Sequence, residues 1–538
     1  MPTATALPLK IPRCGRAGGL RRARLALCAL LPLLTHCATA PRLEGIEPSY
    51  ALPPASSPKL ETGLLTRLVD TPGVSTVRLI EQNAMAFTYR AATAAAAAQT
   101  LDVQYYIWHD DLTGTLLATE LMRAAERGVR VRVLVDDIDA RAKHDLFVVG
   151  DLHPNLEVRI FNPFYSRSGM LGQITEYVLR GSRLNHRMHN KSWIVDNRVA
   201  IVGGRNIGDE YFGASPHSNF SDLDLLMTGP VVREVSASFD EYWNSSNAVP
   251  VSRFDGKPPR PEDLERLIAA SKDFRAQAGE TPYIAALRDP AQQDQLLAQE
   301  APALEVASIE LLADDPGKVG SEERGIHASR VLSRLAEVMG ESRMELLIIS
   351  PYFVPREGGT QALVADVERG IRVAVLTNSL AATDVAAVHT GYARYRRELL
   401  HGGVELYEMK RRAGSAEGRQ KISVTGSSGA SLHTKAIVID RRWVYVGSMN
   451  LDPRSANLNT EMGVLVESPE LAEQLRAQFE SATAPELSYR VVLEPGEGLV
   501  WHDRVDGRER RLEREPDASV WRRMSVTLMR AIPIESQL

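Results

Sequence analysis

Apolar residues follow two different patterns along this chain, one typical of strands and one typical of helices, and segments of the two kinds alternate. Runs rich in β-branched and aromatic residues predict buried strands, and apolar residues spaced three and four apart predict helices. In one such helix Leu116, Leu117 and Leu121 share a face, and Gly128 ends it. The first half is predicted to contain, in order, strand 76–80, helix 84–99, strand 101–108, helix 116–127 and strand 129–135.

The second half repeats this order of elements. The helix-ending glycines Gly128 and Gly370 are 242 residues apart, and two later motif histidines are 244 apart. A nearly constant offset over about 80 residues indicates a duplicated domain. The alternation predicts an α/β fold in which helices cover a sheet on both faces. The elements predicted here are strand 304–312, helix 324–339, strand 344–349, a helix through residue 367 and strand 373–376.

Proline-rich and polar stretches interrupt the repeat and predict the domain boundaries. Pro258, Pro259 and Pro261 begin a polar helical stretch that reaches about residue 300. The predicted organisation is a leader 1–36, a tether 37–73, an N-terminal α/β domain 74–250, a linker 251–300, a C-terminal α/β domain 301–490 and an extension 491–538.

The extension contains a charged run, 508–515, followed by an amphipathic helix over 520–529. Two interpretations of this helix are open. A solvated helix that closes the domain is favoured over a helix that docks on a membrane.

The first 36 residues resemble an export signal. Arg21, Arg22 and Arg24 precede the apolar run 25–34, which is too short to cross a bilayer. Residues 34–37, Leu-Thr-His-Cys, resemble a bacterial lipobox and predict a lipidated Cys37 as the first mature residue, although a histidine stands where a small residue is usual. Ordinary cleavage after Ala40 is the alternative.

Cysteine usage supports the lipid attachment. The only three cysteines, Cys14, Cys28 and Cys37, lie in or directly after the leader, so the mature chain forms no internal disulfide. Cys37 then has no structural partner. We therefore predict a lipoprotein of the bacterial cell envelope, anchored in a membrane and facing the periplasm.

Composition and charge narrow the class of partner. Of the 538 residues, 44% are apolar and 24% are charged, as in globular proteins. Loss of residues 1–36 leaves 57 basic and 68 acidic residues, a net charge of −11. Nucleic acid is therefore not an expected partner, because its binding depends on the neutralisation of phosphates by lysine and arginine.

One pattern of reactive residues occurs twice with identical spacing. It consists of His189, Lys191, Asp196, Gly203 and Asn206 in the first half, and of His433, Lys435, Asp440, Gly447 and Asn450 in the second. Each His and Lys pair precedes a predicted strand, 192–195 or 436–439, so both side chains point to one face. An imidazole can attack phosphorus while an ammonium stabilises the charge on the phosphoryl oxygens. The two copies predict one active site made of two halves, in which one histidine attacks and the other transfers protons.

This pattern resembles the phospholipase D superfamily, whose signature is H-x-K-x4-D followed by G-S-x-N. The flanking residues 185–188 and 457–461 are similar to those of bacterial cardiolipin synthases. The resemblance implies two phospholipase D-like domains, each a mixed sheet flanked by helices, related by pseudo-two-fold symmetry around one shared site. It implies transfer of a phosphatidyl group between phospholipids through a phosphohistidine, without cofactor or metal. Phosphatidylglycerol is the expected substrate, with phosphatidylethanolamine as a second candidate, and the resemblance does not identify a helper protein.

The resemblance also implies roles for single residues. His189 is the expected nucleophile and His433 the general acid and base, although the order could be reversed. Gly204 stands where the family has serine, so the half-sites are not expected to be equivalent. The expected phosphate-binding residues are Lys191, Lys435, Asn206, Asn450 and Ser448.

Four acidic residues accompany the motifs. Asp196 and Asp440 complete them, but their position five residues beyond each lysine favours a structural role. Asp222 and Glu461 each stand eight residues before a proline and are candidates to orient the histidines. Plain strand-edge charges are the alternative for these two.

Other reactive groups are set aside. His186 lies three residues before His189 but has no counterpart in the second half and no companion ligands, which disfavours zinc. Asp136, Asp137 and Asp139 also lack counterparts and are expected to form a turn rather than a magnesium site.

Tyr352 and Phe353 are candidates to line an acyl groove, and Tyr105, Tyr106 and Trp108 are expected in the core. The basic loop Lys410, Arg411, Arg412, Arg419 and Lys421 is interpreted as a surface loop, with head-group binding as the alternative.

Three other functions are weighed against phosphatidyl transfer. Hydrolysis of phospholipids to phosphatidic acid needs only water in place of the acceptor alcohol. A nuclease is disfavoured by the negative charge and the predicted anchor. A lipid-binding protein without catalysis would have no reason to retain both sets of histidine, lysine and asparagine.

Overall fold

The computed structural model describes residues 44–55, 58–60, 73–167, 170–254, 258–320, 329–411, 430–496 and 498–529. The predicted leader, Cys37, most of the tether and the basic positions Arg412, Arg419 and Lys421 lie outside these residues.

The segment Phe164–Gly181 packs as a small unit of its own. Its backbone N–H groups of Tyr165 and Ser166 donate to the Glu176 carboxylate at 2.8 and 2.9 Å. The Arg180 guanidinium lies 3.7 Å from the centre of the Tyr165 ring. All elements of the two sheets, and both motifs, belong to the other unit.

The first half folds around a mixed nine-stranded sheet in the order β10-β1-β8-β6-β5-β2-β3-β4-β9. Its strands, with the short strand β7 outside the sheet, are β1 Ser75–Ile80, β2 Thr100–Tyr105, β3 Arg130–Asp136, β4 Leu156–Phe161, β5 Ser192–Val195, β6 Val199–Gly203, β7 Asn219–Ser221, β8 Asp224–Thr228, β9 Ala248–Pro250 and β10 Leu304–Val306. The neighbouring strands β2, β3 and β4 are parallel, and helices cross between them.

The second half folds around a ten-stranded sheet in the order β11-β18-β17-β16-β12-β13-β14-β19-β20-β21. Its strands, with β15 outside the sheet, are β11 Ser308–Ala313, β12 Glu345–Ile349, β13 Arg372–Asn378, β14 Glu405–Met409, β15 Ala430–Leu432, β16 Ala436–Ile439, β17 Trp443–Gly447, β18 Met462–Glu467, β19 Ser488–Glu494, β20 Gly498–Val505 and β21 Arg508–Leu512. From β11 to β19 this order repeats that of β1 to β9 strand for strand, as the predicted duplication requires.

Helices cover the sheets as predicted for an α/β fold. They are α1 Asn83–Ala96, α2 Leu112–Glu126, α3 Asp137–Ala140, α4 His144–Gly150, α5 Met170–Asn185, α6 Asp209–Phe212, α7 Val231–Trp243, α8 Pro261–Ala278, α9 Pro282–Arg288, α10 Pro290–Ala298, α11 Arg330–Gly340, α12 Arg356–Glu368, α13 Ala386–His401, α14 Pro453–Asn457, α15 Pro469–Ala482 and α16 Val520–Met529. In the described part of the chain, no helix combines the length and the hydropathy needed to cross a membrane.

The prediction of one strand over 304–312 was wrong. Leu304–Val306 pairs with β1 in the first sheet, and Ser308–Ala313 pairs with β18 in the second. The chain therefore passes from one sheet to the other at Ala307. A local sequence pattern cannot show such a change of partner, because strand propensity does not specify which strand a segment pairs with.

One hydrophobic cluster is shared by the two halves. It joins β1, β6 and β8 of the first sheet to β12, β16 and β18 of the second, with Val77, Leu225, Leu347, Val438 and Val464 among its buried members. The outer face of each sheet has a separate core. Because the central cluster belongs to both halves, the two motif strands are held in one rigid frame.

Candidate active site

The two motifs lie at corresponding places in the two sheets, directly before the strands β5 and β16. His189 and His433 are each 7% exposed, and Lys191 and Lys435 are buried almost completely. The charge of Lys435 contributes to the electrostatics of His189, and that of Glu461 to both lysines. The two motif sets therefore form one cluster.

Backbone hydrogen bonds between the halves hold both histidines. The N–H of His189 donates to the carbonyl of Thr460 at 2.9 Å, and the N–H of Thr460 donates to Arg187. In the matching place β7 and β15 pair in parallel, and the N–H of His433 donates to Ser221 at 2.8 Å. Each histidine is thus fastened to the chain segment that precedes an acidic residue of the other half.

Those acidic residues contact the histidines directly. Nδ1 of His189 lies 2.8 Å from Oε2 of Glu461, and Nδ1 of His433 lies 2.5 Å from Oδ2 of Asp222. A carboxylate at Nδ1 favours the tautomer with a proton there and directs the other ring nitrogen, Nε2, toward chemistry. Every pair joins one half of the molecule to the other, so neither half contains a complete histidine site.

Burial controls the protonation of this cluster. Loss of water lowers the pKa of His189 to about 4, with Glu461 acting against the shift. The pKa of His433 is also lowered by burial and by Lys435. For Glu461 burial alone would raise the pKa, but the charges of His189 and Lys191 lower it below its usual value. The charges of His433 and Lys435 lower the pKa of Asp222 in the same way. The resting site therefore pairs neutral imidazoles with ionised carboxylates.

Both motif lysines have pKa values close to neutral pH. Burial lowers the pKa of Lys191 to about 7 and that of Lys435 to about 8. Nζ of Lys191 donates to the carbonyl of His189 at 2.6 Å, and Nζ of Lys435 donates to that of His433. An anionic phosphate placed between them would restore their full charge, because an opposite charge favours the ammonium form.

The half-sites differ around their carboxylates. Oγ of Ser448 donates to Oε2 of Glu461 at 2.5 Å and accepts from the N–H of Met462 at 3.0 Å, so its proton is committed to the carboxylate. The prediction had placed this hydroxyl on the phosphate. At the matching position, a Cβ on Gly204 would stand 2.2 Å from Oδ1 of Asp222. The glycine therefore leaves the room that the shorter acid needs.

The two motif asparagines have different contacts. Oδ1 of Asn206 accepts from the N–H of Ile107 at 3.3 Å, and its Nδ2 donates to the hydroxyl of Tyr211 at 2.9 Å. Oδ1 of Asn450 is buried and has no hydrogen-bond partner among the residues described. Both lie in the turns that follow β6 and β17.

The motif aspartates lie at the far end of the motif strands. The buried carboxylate of Asp196 accepts from the N–H groups of Ala98, Gln99 and Thr100 at 2.7–2.9 Å. Asp440 accepts from the N–H groups of residues 343–345 at 2.7–3.2 Å. Both aspartates occupy left-handed backbone, with φ of 52° and 53°. They tie the hairpin turn to the start of β2 or β12, away from the phosphate-binding groups.

Three aromatic residues surround the histidines and were not identified as site residues. The ring of Tyr106 lies 5.0 Å from that of His189, edge to face. Phe220 and Tyr211 lie 5.0 and 5.3 Å from His433. These rings supply much of the burial that shifts the histidine pKa values. Tyr106 is indistinguishable from core by sequence, and Phe220 is recognisable only by its place two residues before Asp222.

The groups considered as metal ligands have protein partners. Nδ1 of His186 lies 2.9 Å from the carbonyl of Ser182. Asp136 accepts from the N–H of Met188 at 2.9 Å and faces Arg187 at 3.3 Å, so it supports the segment that leads into His189. Burial raises its pKa to about 6.

One cluster of metal-ligand types occurs among the described residues, at His109, Asp111 and Glu210. His109 and Glu210 form an ion pair at 3.0 Å. Asp111 caps α2 and accepts from the N–H of Asp209. These contacts account for the three side chains.

The candidate acyl-groove residues separate in the structure. Phe353 is buried in the core of the second half against Tyr392, and it lines a cavity together with residues of α11 and α12. The hydroxyl of Tyr352 donates to Asp384 at 2.6 Å. Asp384 contributes to the electrostatics of both His433 and Lys435, which places Tyr352 beside the active site.

Known proteins match both the sequence and the fold. The profile of the family described as "Cardiolipin synthase, PLD-like domain" matches residues 91–243 and 335–483. Cardiolipin synthase C of Escherichia coli (strain K12) is 40% identical over 89% of this chain and 99% of its own length. Cardiolipin synthase A of Pseudomonas aeruginosa (strain LESB58) is 26% identical over 79% and 71%. The crystal structure of phosphatidylserine synthase of Haemophilus influenzae Rd KW20 has a similar fold, with a TM-score of 0.54, 14% identity and coverage of 86% and 95%.

Proposed function

This chain belongs to the family of cardiolipin synthases with phospholipase D-like domains, and we propose that it joins two phospholipids through a phosphohistidine on His189. The enzyme is a phosphatidyltransferase of the phospholipase D type. The observation that supports a shared mechanism is the pair of histidine–carboxylate contacts, His189 with Glu461 and His433 with Asp222, which both cross between the halves.

In the first step Nε2 of His189 attacks phosphorus of the donor lipid. The bond from phosphorus to the glycerol oxygen of the leaving group breaks, and a protonated His433 gives its proton to that oxygen. The pKa of His189, about 4, keeps its attacking nitrogen unprotonated at neutral pH. The negative charge of the bound phosphodiester raises the pKa of His433 again and so stabilises its protonated form.

In the second step the hydroxyl of the acceptor lipid loses its proton to His433, and its oxygen attacks phosphorus. The P–N bond to His189 breaks, and both histidines return to their starting forms. Lys191 and Lys435 stabilise the charge on the phosphoryl oxygens in both steps. The motif aspartates Asp196 and Asp440 act as anchors of the strands that carry this machinery.

The order of the histidines can be tested by trapping the intermediate. We use a lipid phosphodiester with a p-nitrophenolate leaving group, which departs without a proton. His433→Ala is expected to accumulate labelled phosphohistidine at position 189, and His189→Ala is expected to form none. A label found on His433 in the His189→Ala protein would reverse the assignment.

The lipids can be identified by their products. With labelled phosphatidylglycerol we expect cardiolipin and free glycerol, and addition of phosphatidylethanolamine tests whether it also serves as a donor. Phosphatidic acid as the only product would instead establish hydrolysis, the runner-up reaction, because water resolves the same phosphohistidine. The Cys37→Ser variant serves as a separate test of the lipid anchor: fatty-acid labelling of the envelope protein should be lost.

A further inference from the structure

The helix α16 has an apolar stripe that faces solvent. Val520, Trp521, Met524 and Leu528 are 62%, 79%, 56% and 73% exposed. At 100° per residue these four positions fall within about one third of the helix circumference. The sequence favoured an amphipathic helix that closes the domain, whereas here the apolar side of the helix faces outward. We call these four residues the apolar stripe.

The opposite side of α16 is fastened to the protein. Val526 is buried with Ala518 against Leu380 and Ala386. Arg522 donates to the carbonyl of Thr383, and Arg523 donates to that of Glu515 at 3.2 Å. The two arginines flank the stripe and use protein carbonyls, so the helix has a defined orientation with its apolar side outward.

The same contacts connect α16 to the segment that precedes His433. Residues 380–384, on which α16 rests, also contact β15, because Oγ of Ser431 donates to the carbonyl of Ala382 at 3.0 Å. Strand β15 ends one residue before His433. Asp384, the last of residues 380–384, accepts a hydrogen bond from the hydroxyl of Tyr352. The segment that supports α16 is therefore also in contact with the strand that leads into His433.

We propose that the apolar stripe docks on the surface of a phospholipid bilayer and holds the active site at the level of the lipid head groups. The inference rests on the proposed function, since it takes a bilayer lipid as the substrate. Tryptophan with neighbouring aliphatic side chains is the composition that interfacial helices insert into the head-group boundary. The net charge of −11 for the mature chain repels anionic lipid, so the attachment is driven by apolar contact rather than by charge.

A second copy of the chain is a poorer occupant. A stable protein interface buries about 800 Å² on each partner. Four side chains on one helix of ten residues supply only part of that area. The stripe is, in contrast, sufficient for reversible attachment to a bilayer, which needs few inserted side chains when the protein has a second anchor.

The first test uses the fluorescence of Trp521 in the full-length protein. We compare the protein with Trp521→Phe in phosphatidylglycerol vesicles that contain lipids brominated on their acyl chains, and take the difference spectrum. The Trp521 component should lose at least half of its intensity, and the loss should persist in 0.5 M salt. An unquenched component, or one released by salt, would overturn the proposal.

The second test separates docking from catalysis. In the variant Val520→Ser, Met524→Ser, Leu528→Ser we expect kcat/KM on phosphatidylglycerol vesicles to fall about 10- to 100-fold, as three apolar contacts with lipid are lost. Turnover of a soluble, short-chain phosphatidylglycerol should stay within twofold. The matched control is Met344→Ser with Val505→Ser, two exposed residues elsewhere, and it should behave as the unchanged protein.

The remaining outcomes are also decisive. Equal losses on vesicles and on soluble substrate, or in variant and control, would show a structural role for α16 and overturn the proposal. A dimer that the triple variant dissociates would assign the stripe to a second copy. If the unchanged protein turns over neither substrate, the proposed function fails, while the quenching experiment still reports whether the stripe enters a bilayer.

Discussion

At the scale of single residues, the two half-sites differ in the residue that lies beside each carboxylate. The longer acid, Glu461, is steadied by the hydroxyl of Ser448. The shorter acid, Asp222, occupies the space that a side chain at position 204 would fill. Glycine at 204 and serine at 448 are therefore each matched to the carboxylate beside them, and the matching supports different tasks for the two histidines.

Gly204→Ala should disable the His433 half-site. The added Cβ would overlap Asp222, which must move away from Nδ1 of His433. We expect kcat to fall roughly 10- to 100-fold, with a smaller change in KM, because a misplaced proton-transfer group slows chemistry more than binding. The measurement is steady-state transfer with phosphatidylglycerol. Gly340→Ala, where a Cβ meets nothing within 4 Å, is the control, and an equal loss there would contradict the explanation.

The lysines predict an alkaline limit to activity. Their pKa values, about 7 and about 8, mean that the ammonium forms are present at lower pH and are lost as the pH rises through this range. We expect kcat/KM for a soluble short-chain substrate to fall over the same interval, because this constant reports the free enzyme. The limb in kcat should lie at higher pH, since bound phosphate keeps the lysines charged. Identical limbs in both constants would argue against the lysines as its source.

At the scale of elements, the first motif hairpin depends on a local turn and on a long-range contact of the turn residue Asp196. Asp196 and Asn197 both have φ of 52°, and Arg198 donates back to Val195, as in a two-residue turn with left-handed backbone. Aspartate and asparagine tolerate that conformation. The Asp196 carboxylate also binds three N–H groups before β2, a contact that the hairpin sequence does not specify.

Asp196→Asn should cost stability rather than catalysis. The amide keeps the size and the turn but cannot accept from all three N–H groups as an ionised carboxylate does, which we expect to cost about 1–3 kcal/mol. Calorimetry should show a lower Tm, while kcat of the folded enzyme at 20 °C should stay within about twofold. A large loss of kcat with unchanged Tm would instead return Asp196 to the catalytic group.

Local patterns predicted many elements well. The motif strands 192–195 and 436–439 and the helix 520–529 have the predicted bounds. The prediction failed for 304–312, where pairing partners rather than propensity divide the run, and it missed the outward direction of the apolar face of α16. Both failures concern which surface an element meets, and that information is not present in a local period.

At the scale of the whole molecule, each half supplies the carboxylate that contacts the motif histidine of the other half. The central hydrophobic cluster draws residues from both sheets, and the buried hydroxyl of Thr460 donates across the junction to Asn190 at 2.8 Å. Because Thr460 also holds the backbone of His189, this contact links domain packing to the site.

Thr460→Val should loosen that junction. The substitution preserves shape but leaves Oδ1 of Asn190 buried without its donor, at a cost of about 1–3 kcal/mol. We expect the Tm to fall by a few degrees and turnover to fall with it. Thr88→Val, which removes only a bond to Ala84 within α1, is the control and should change neither quantity appreciably. Equal effects of the two substitutions would contradict a special role for the junction.

The spacing of the two motifs and the order of elements around them were enough to predict the duplicated domain and the family and to mark the histidines and lysines as candidates, because those properties follow from residue type, period and order along the chain. The sequence also marked Asp222 and Glu461 as candidates without showing which histidine each would meet. Only the tertiary structure decides that each acid crosses to the other half, that Ser448 donates to a carboxylate and that α16 turns its apolar stripe to solvent. These contacts join residues up to 272 positions apart, and their geometry arises from the packing of two sheets on one core.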